Sequence, residues 1–127
     1  MKNIIIGLST LLVASSSCEK QNCPQQACTE EFKSIIVDLE FNTSNPMIDS
    51  TKTFRKNDNK LMQTHTNFDN NHFVVLDDAD KDDLSLEAST FISKGYFSGQ
   101  EIFSEEYEIK HDCCHIIKVS GKDTINL

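Results

Sequence analysis

The sequence has no tryptophan, two prolines and four glycines among its 127 residues, and 12 lysines and arginines against 20 aspartates and glutamates. Each shortage excludes something. A formal net charge of −8 repels phosphate backbones, and no basic cluster offsets it, so counterion release cannot drive binding to nucleic acid. Without tryptophan, only Tyr96 and Tyr107 are left to stack on a sugar by a polar-edged ring. No apolar run approaches the roughly 20 residues that a membrane-spanning helix needs. Catalytic signatures are missing too: there is no Gly-x-Ser-x-Gly elbow, no His-Glu-x-x-His helix and no glycine-rich phosphate loop. Glu105 and Glu106 are adjacent in a strand pattern and point to opposite faces, which makes them a poor acid/base couple. The one scrap of enzymatic potential is a cysteine beside His115.

What is present suffices for one domain. The chain is 38% hydrophobic and carries eight phenylalanines, enough for a single core at this length. Its first residues set the compartment. Met1-Lys2-Asn3 is a short basic start, Ile4 to Val13 is apolar apart from Gly7, Ser9 and Thr10, and Ala14-Ser15-Ser16-Ser17 closes the segment with small residues. Residues 1–17 therefore read as a signal peptide. Small residues directly before Cys18 resemble the lipobox of bacterial lipoproteins, which implies that Cys18 is acylated, palmitate included, and becomes the first mature residue. Ser15 stands where the enterobacterial pattern prefers leucine, whereas boxes ending in Ser-Cys are common in lipoproteins of Bacteroidota. Glu19 after Cys18 fits delivery to the outer membrane. Residues 18–27 are polar and without periodicity, and read as a tether.

The remainder, 28–127, reads as strands. From Ser34 to Asn42, Ile35, Val37, Leu39 and Phe41 alternate with polar residues, and only Ile36 breaks the period of two. Asn45-Pro46 marks a turn. Ser50 to Lys56 is a weakly patterned strand, Asn57-Asp58-Asn59 turns the chain, and Gln63 to Asn71 reads as a loop with a little edge strand. His72 to Leu76 is a compact apolar run expected to be a central strand. Thr90 to Ser98 and Glu101 to Lys110 flank Gly99 as a hairpin, with Phe91, Tyr96, Phe97, Phe103 and Tyr107 over both arms. His115 to Ser120 and Thr124 to Leu127 are the last strands, and Asp80 to Glu87 is the one stretch that suits a helical turn. About seven short strands with frequent turn signals predict an all-β, antiparallel sandwich.

Cys28-Thr29-Glu30-Glu31-Phe32, Asn45-Pro46, Ser98-Gly99-Gln100-Glu101 and Asp112-Cys113-Cys114-His115-Ile116 together resemble a group of small lipoproteins of Bacteroidota. The resemblance covers Cys28 to Leu127. It implies an envelope-tethered β-sandwich similar to carboxypeptidase-regulatory, transthyretin-like or immunoglobulin-like domains, and it brings no activity with it.

With Cys18 taken by lipid, Cys23, Cys28, Cys113 and Cys114 remain, an even number in an exported chain. A vicinal Cys113–Cys114 bond is strained, so bonds from the N-terminal pair to the C-terminal pair are expected. Parallel pairing of the first and last strands would bring Cys28 and Cys113-Cys114 to one pole. The rival is a soft-metal site at Cys113, Cys114 and His115, with His111 close by. Adjacent strand residues diverge, which speaks against it and leaves His111 and His115 as exposed or edge residues. His65 and His72 lie in polar loop contexts.

Asp78, Asp80 and Asp82 match the first three ligand positions of a calcium loop. Asp83 then replaces the required glycine and Ser89 the bidentate glutamate, so a solvated acidic loop is the simpler reading. The sequence thus supports a lipid-anchored, non-enzymatic envelope module that meets a protein or glycan and needs no cofactor. The alternative is a small binder of calcium or soft metal. Two disulfides predict that the oxidised chain from Glu19 onward weighs four hydrogens less than its reduced form by intact mass spectrometry; a full count of free thiols would sink the pairing.

Overall fold

Burial alternates strictly along Ser34–Glu40: the chain buries Ile35, Val37 and Leu39 and leaves Ile36 in solvent with the polar residues. A computed structural model describes residues 23–24, 27–42 and 48–127. In it this segment is β1, followed by β2 (Ser50–Arg55), β3 (Lys60–His65), β4 (His72–Asp77), a 3-10 helix over Asp78–Asp83, β5 (Ser89–Phe97), β6 (Gln100–His111), β7 (Ile116–Ser120) and β8 (Thr124–Asn126). The segment 1–17, Cys18 and the Asn45-Pro46 turn lie outside the described residues.

The strands form two sheets, ordered β4-β1-β8 and β3-β2-β5-β6-β7, and the fold is an all-β sandwich. All pairs are antiparallel except β1 with β8, where Asp38, Leu39 and Glu40 lie beside Thr124, Ile125 and Asn126. The inner faces meet in one core, with Val37, Phe73, Val75 and Ile125 from the small sheet and Phe91, Tyr107 and Ile109 from the large one. Thr53 and Ser93 also face inward, opposite each other on β2 and β5, and share a 2.8 Å hydroxyl hydrogen bond that satisfies both in the dry interior.

Two expectations change. Lys60–His65 is a full strand paired with β2, so the described residues form eight strands, and only 66–71 remain as the loop before β4. β4 is not central: it bonds to β1 alone and forms an edge. Its apolar run arises from a bulge between its pairings with Ile35 and Ile36, which turns both Val75 and Leu76 into the core.

The hairpin turns through Ser98 and Gly99, both with positive φ (49° and 77°), the backbone of the tight two-residue turn. Asp49 accepts the Ser98 N–H at 2.8 Å and steadies it. On the same hairpin Gly95 lies beneath the Phe103 ring, where a β-carbon would come within 2.1 Å of it. β5 and β6 thus run the length of the sandwich. One pole holds the hairpin tip and the loop before β4; the other holds the start of β1, the 3-10 helix and the β6–β7 turn. No helix among the described residues is long and apolar enough to cross a membrane.

Tyr107 is the largest fully buried side chain, and its hydroxyl has no partner among the described residues. Burial pushes its pKa up, with Glu105 and Asp123 adding to the shift, so the group stays a phenol. Tyr107→Phe removes an unsatisfied polar atom and should leave stability unchanged or raise it by about 1 kcal/mol in chemical denaturation. A loss of that size would mean that the hydroxyl has a partner.

Candidate functional site at the cysteine pole

β6 carries Tyr107, Ile109 and His111 inward by alternation, and the chain then reverses through Asp112–His115 before β7. Asp112 builds the reversal. One of its carboxylate oxygens accepts the N–H groups of His115 at 2.7 Å and Cys114 at 2.9 Å, and these bonds hold its pKa below the usual carboxylate range. Cys113 adopts φ 75°, a left-handed conformation rare for a residue with a β-carbon. Cys113 and Cys114 therefore sit in a turn, not on a strand, and the turn aims their sulfurs at different targets.

Those targets lie on the N-terminal strap before β1, of which residues 23–24 and 27–33 are described. Cys23 is bonded to Cys113 and Cys28 to Cys114, with Cα separations of 5.5 and 5.3 Å. The N-terminal pair does join the C-terminal pair, as expected. Parallel pairing of β1 and β8 holds as well, although the pole is closed by the turn before β7 rather than by the last strand. Cys23 belongs covalently to the domain, which shortens the tether expected over 18–27.

Polar contacts reinforce the clamp. Asp78 opens the 3-10 helix and accepts hydrogen bonds from His115 Nδ1 at 2.7 Å, the Lys33 N–H at 2.8 Å and the Ile116 N–H at 2.9 Å. Burial pushes the Asp78 pKa up, but the bonds from His115, Lys33 and Ile116 outweigh it, and the carboxyl rests below its ordinary value. On the far side of the imidazole, Nε2 lies 2.9 Å from the Thr29 hydroxyl. Because Asp78 accepts at Nδ1, that nitrogen carries the proton, and a neutral ring takes the Thr29 hydrogen at Nε2. Lys81 adds a bond from Nζ to the Cys113 carbonyl at 3.2 Å.

The hydroxyl, imidazole and carboxylate thus stand in the order of a nucleophilic relay. No sequence signal pointed to it, since Thr29, His115 and Asp78 are separated by 86 and 37 positions. His111 and His115 are not exposed edge residues. His111 is 4% exposed, and the His115 side chain 15%. For His111 the signal was there, as the third inward position after Tyr107 and Ile109.

Neither cation site read from the sequence assembles. Asp78, Asp80 and Asp82 lie on a 3-10 helix, whose three residues per turn send alternate positions to three different sides. Asp78 is committed to the clamp, and Asp80 accepts from the Asp77 N–H and the Gln63 side chain at 3.1 and 2.8 Å. Cys113, Cys114 and His115 diverge as well. The structure gathers Cys23, His111 and Cys113 instead, with ligand atoms within 4.8 Å of one another. A cavity of about 320 Å³ lies at the ends of β2 and β5, lined by Arg55, Lys56, Asn57, Ser89 and Thr90. Its guanidinium is already engaged by Asp58 at 2.6 Å and the Asp83 carbonyl at 3.1 Å, which weakens any claim on an anion.

No family model matches the chain, and no curated protein or solved structure matches it.

The clamp makes two predictions. The bonds bridge separations of 90 and 86 residues; once one is closed, the other closes a ring of only eight residues, 23–28 with Cys113 and Cys114. Removing either pair by Cys→Ser should therefore cost about 2 kcal/mol, and removing both about 7 kcal/mol, in urea titrations. Equal, additive losses would contradict the nested geometry. Asp78 is depressed in the folded state, so its contribution is present above the ordinary value of 3.8 and fades as pH falls through the lower folded value. Asp78→Asn should cost about 1–3 kcal/mol at neutral pH and flatten the acid limb of the stability profile. An unchanged acid limb would remove Asp78 from this role.

Proposed function

We propose that this chain is a lipid-anchored, non-enzymatic interaction module of the cell envelope. Acylated Cys18 holds it at a membrane, and the pole remote from the cysteines meets an envelope protein or glycan. The double clamp of the strap onto one pole is the observation that carries this reading.

From Cys18 to Cys23 the chain spans at most about 18 Å, so the clamp keeps the cysteine pole close to the lipid. β6 runs twelve residues, roughly 35–40 Å, from the hairpin tip to that pole. A module fixed at one end by covalent bonds presents its other end outward. There the hairpin tip is flanked by Phe97 and Ile102, each 36% exposed, as apolar contact points in an acidic surface. Thr29, His115 and Asp78 serve in this reading as the polar half of the clamp. Outer-membrane delivery is the matching localisation, by the residue after Cys18.

The test is made on the full chain in a bacterial host. An alkyne fatty acid should label the wild type and not Cys18→Ser, which should leave the membrane fraction. A photo-cross-linker at Phe97 or Ile102 should capture one envelope partner that the same group at Leu86, near the clamp, does not. Purified protein should hydrolyse activated acyl esters no faster than Thr29→Val. Labelling that persists in the variant would remove the anchor, and hydrolysis lost in Thr29→Val would make the relay catalytic and the module an enzyme.

A further inference from the structure

The two disulfides have different neighbours. Cys28–Cys114 adjoins His115, whose ring nitrogens are both engaged, by Asp78 at 2.7 Å and Thr29 at 2.9 Å. Cys23–Cys113 adjoins His111, a core-facing imidazole held toward the turn by the Cys113 N–H, which donates to Nδ1 at 2.9 Å. Among the described residues, Cys23, His111 and Cys113 are the one group of three such side chains whose ligand atoms lie within 4.8 Å of one another, the two sulfurs because they are bonded.

We infer that Cys23, His111 and Cys113 form a redox-gated site for a thiophilic d10 cation such as Zn²⁺, closed in the oxidised protein and opened by reduction of the Cys23–Cys113 bond.

The chemistry balances. A dithiol or phosphine reductant supplies two electrons to the Cys23–Cys113 bond, two protons from solvent complete the thiols, and the cation displaces both protons as it binds. Tetrahedral zinc with sulfur at about 2.3 Å and nitrogen at about 2.0 Å requires the sulfurs to part to roughly 3.8 Å. The movement falls on Cys23, which is exposed on the strap, while His111 and Cys113 stay on β6 and its turn. Cys28–Cys114 can remain closed and keep the strap at the pole. Three protein ligands leave the fourth position to water, the arrangement of an exchangeable site rather than a permanent structural one. The ligand set differs from the Cys113, Cys114 and His115 trio because the turn sends the adjacent sulfurs apart; at His111 the Nδ1 lone pair now accepts the Cys113 N–H, and that bond must yield for the ring to take the cation.

The test uses the full chain in detergent, oxidised or reduced by a phosphine under anaerobic conditions, with Zn²⁺ as the only added metal. Native mass spectrometry counts bound zinc, competition with a chromophoric chelator gives affinity, and Co²⁺ reports thiolate ligation by its charge-transfer absorbance. The reduced chain should hold one zinc and the oxidised chain none. His111→Gln should weaken binding at least about tenfold, while His115→Gln retains it. Circular dichroism establishes that each variant is folded. No zinc on the reduced chain, full binding by the oxidised chain, or unchanged affinity in His111→Gln would overturn the site. Equal losses in His111→Gln and His115→Gln would also overturn it, since a ligand set drawn from an opened chain would not distinguish the two. None of these outcomes depends on the lipid anchor or on a partner at the far pole.

Discussion

A carboxylate withdrawn from water must find donors, and Asp78 finds them on two other segments of the chain. Its side chain is 11% exposed and accepts from the Lys33 N–H on the strap, and from the His115 ring and the Ile116 N–H on the turn entering β7. Those segments lie far apart in sequence, so the carboxylate is satisfied only when β1, β4 and β7 are in register at this pole. Losing that register would leave a buried charge without partners, a larger penalty than the net gain from any single hydrogen bond. The cysteines sit within this frame: Cys28 is five residues before Lys33 and Cys114 two before Ile116, so the alignment that satisfies Asp78 also brings the sulfurs within bonding reach.

The rest of the sandwich explains why such a frame is useful. The small sheet has three strands, and its β1–β8 pairing joins the first strand to the last. Contacts of that separation form late and carry a large loop-closure entropy. A core that includes Thr51, Thr53 and Ser93 supplies less transfer energy than a fully apolar one of the same size. Cross-links over 86 and 90 residues restrict the unfolded chain and offset part of that deficit. They also tie the strap to a pole where β1 alone would have left it free to swing.

Much of the architecture was legible because strands reveal themselves by period and turns by residue type. Ile35, Val37 and Leu39 alternate cleanly, and Ser98-Gly99 places the hairpin within a residue. What misled was information that sequence spacing does not hold. The apolar run Phe73 to Leu76 suggests a central strand, whereas a bulge folds two consecutive residues inward and β4 lies at an edge. Asp78, Asp80 and Asp82 keep a calcium loop open as the alternative to a solvated acidic loop because their two-residue spacing matches its first ligands; on a 3-10 helix the same spacing separates them. The cysteine pair was read on a strand, and the correct connectivity class followed from a divergence that the Asp112 turn supplies instead. His111 was legible through its alternation with Tyr107 and Ile109, but a histidine beside two cysteines drew attention to metal chemistry and away from the simpler fact that it faces the core.

The Asp112 turn also makes two chemically distinct disulfides out of adjacent cysteines. Had Cys113 and Cys114 continued β6, their sulfurs would have faced opposite sides of the sheet, and one of them could not have reached the strap. The left-handed backbone at Cys113 is what lets both reach it, at a conformational cost of about 1–3 kcal/mol that the surrounding bonds must hold in place. Holding is the task of Asp112, which fixes the N–H groups of Cys114 and His115, and of Lys81, which caps the Cys113 carbonyl. With the turn fixed, His115 is delivered to Asp78 and Thr29, and its bond to chemistry outside the clamp is closed off by those partners. His111, one residue before the turn, stays on the core side next to Cys113. Division of labour between two neighbouring histidines thus follows from one strained residue: one completes the staple, and the other stands beside the bond that can open.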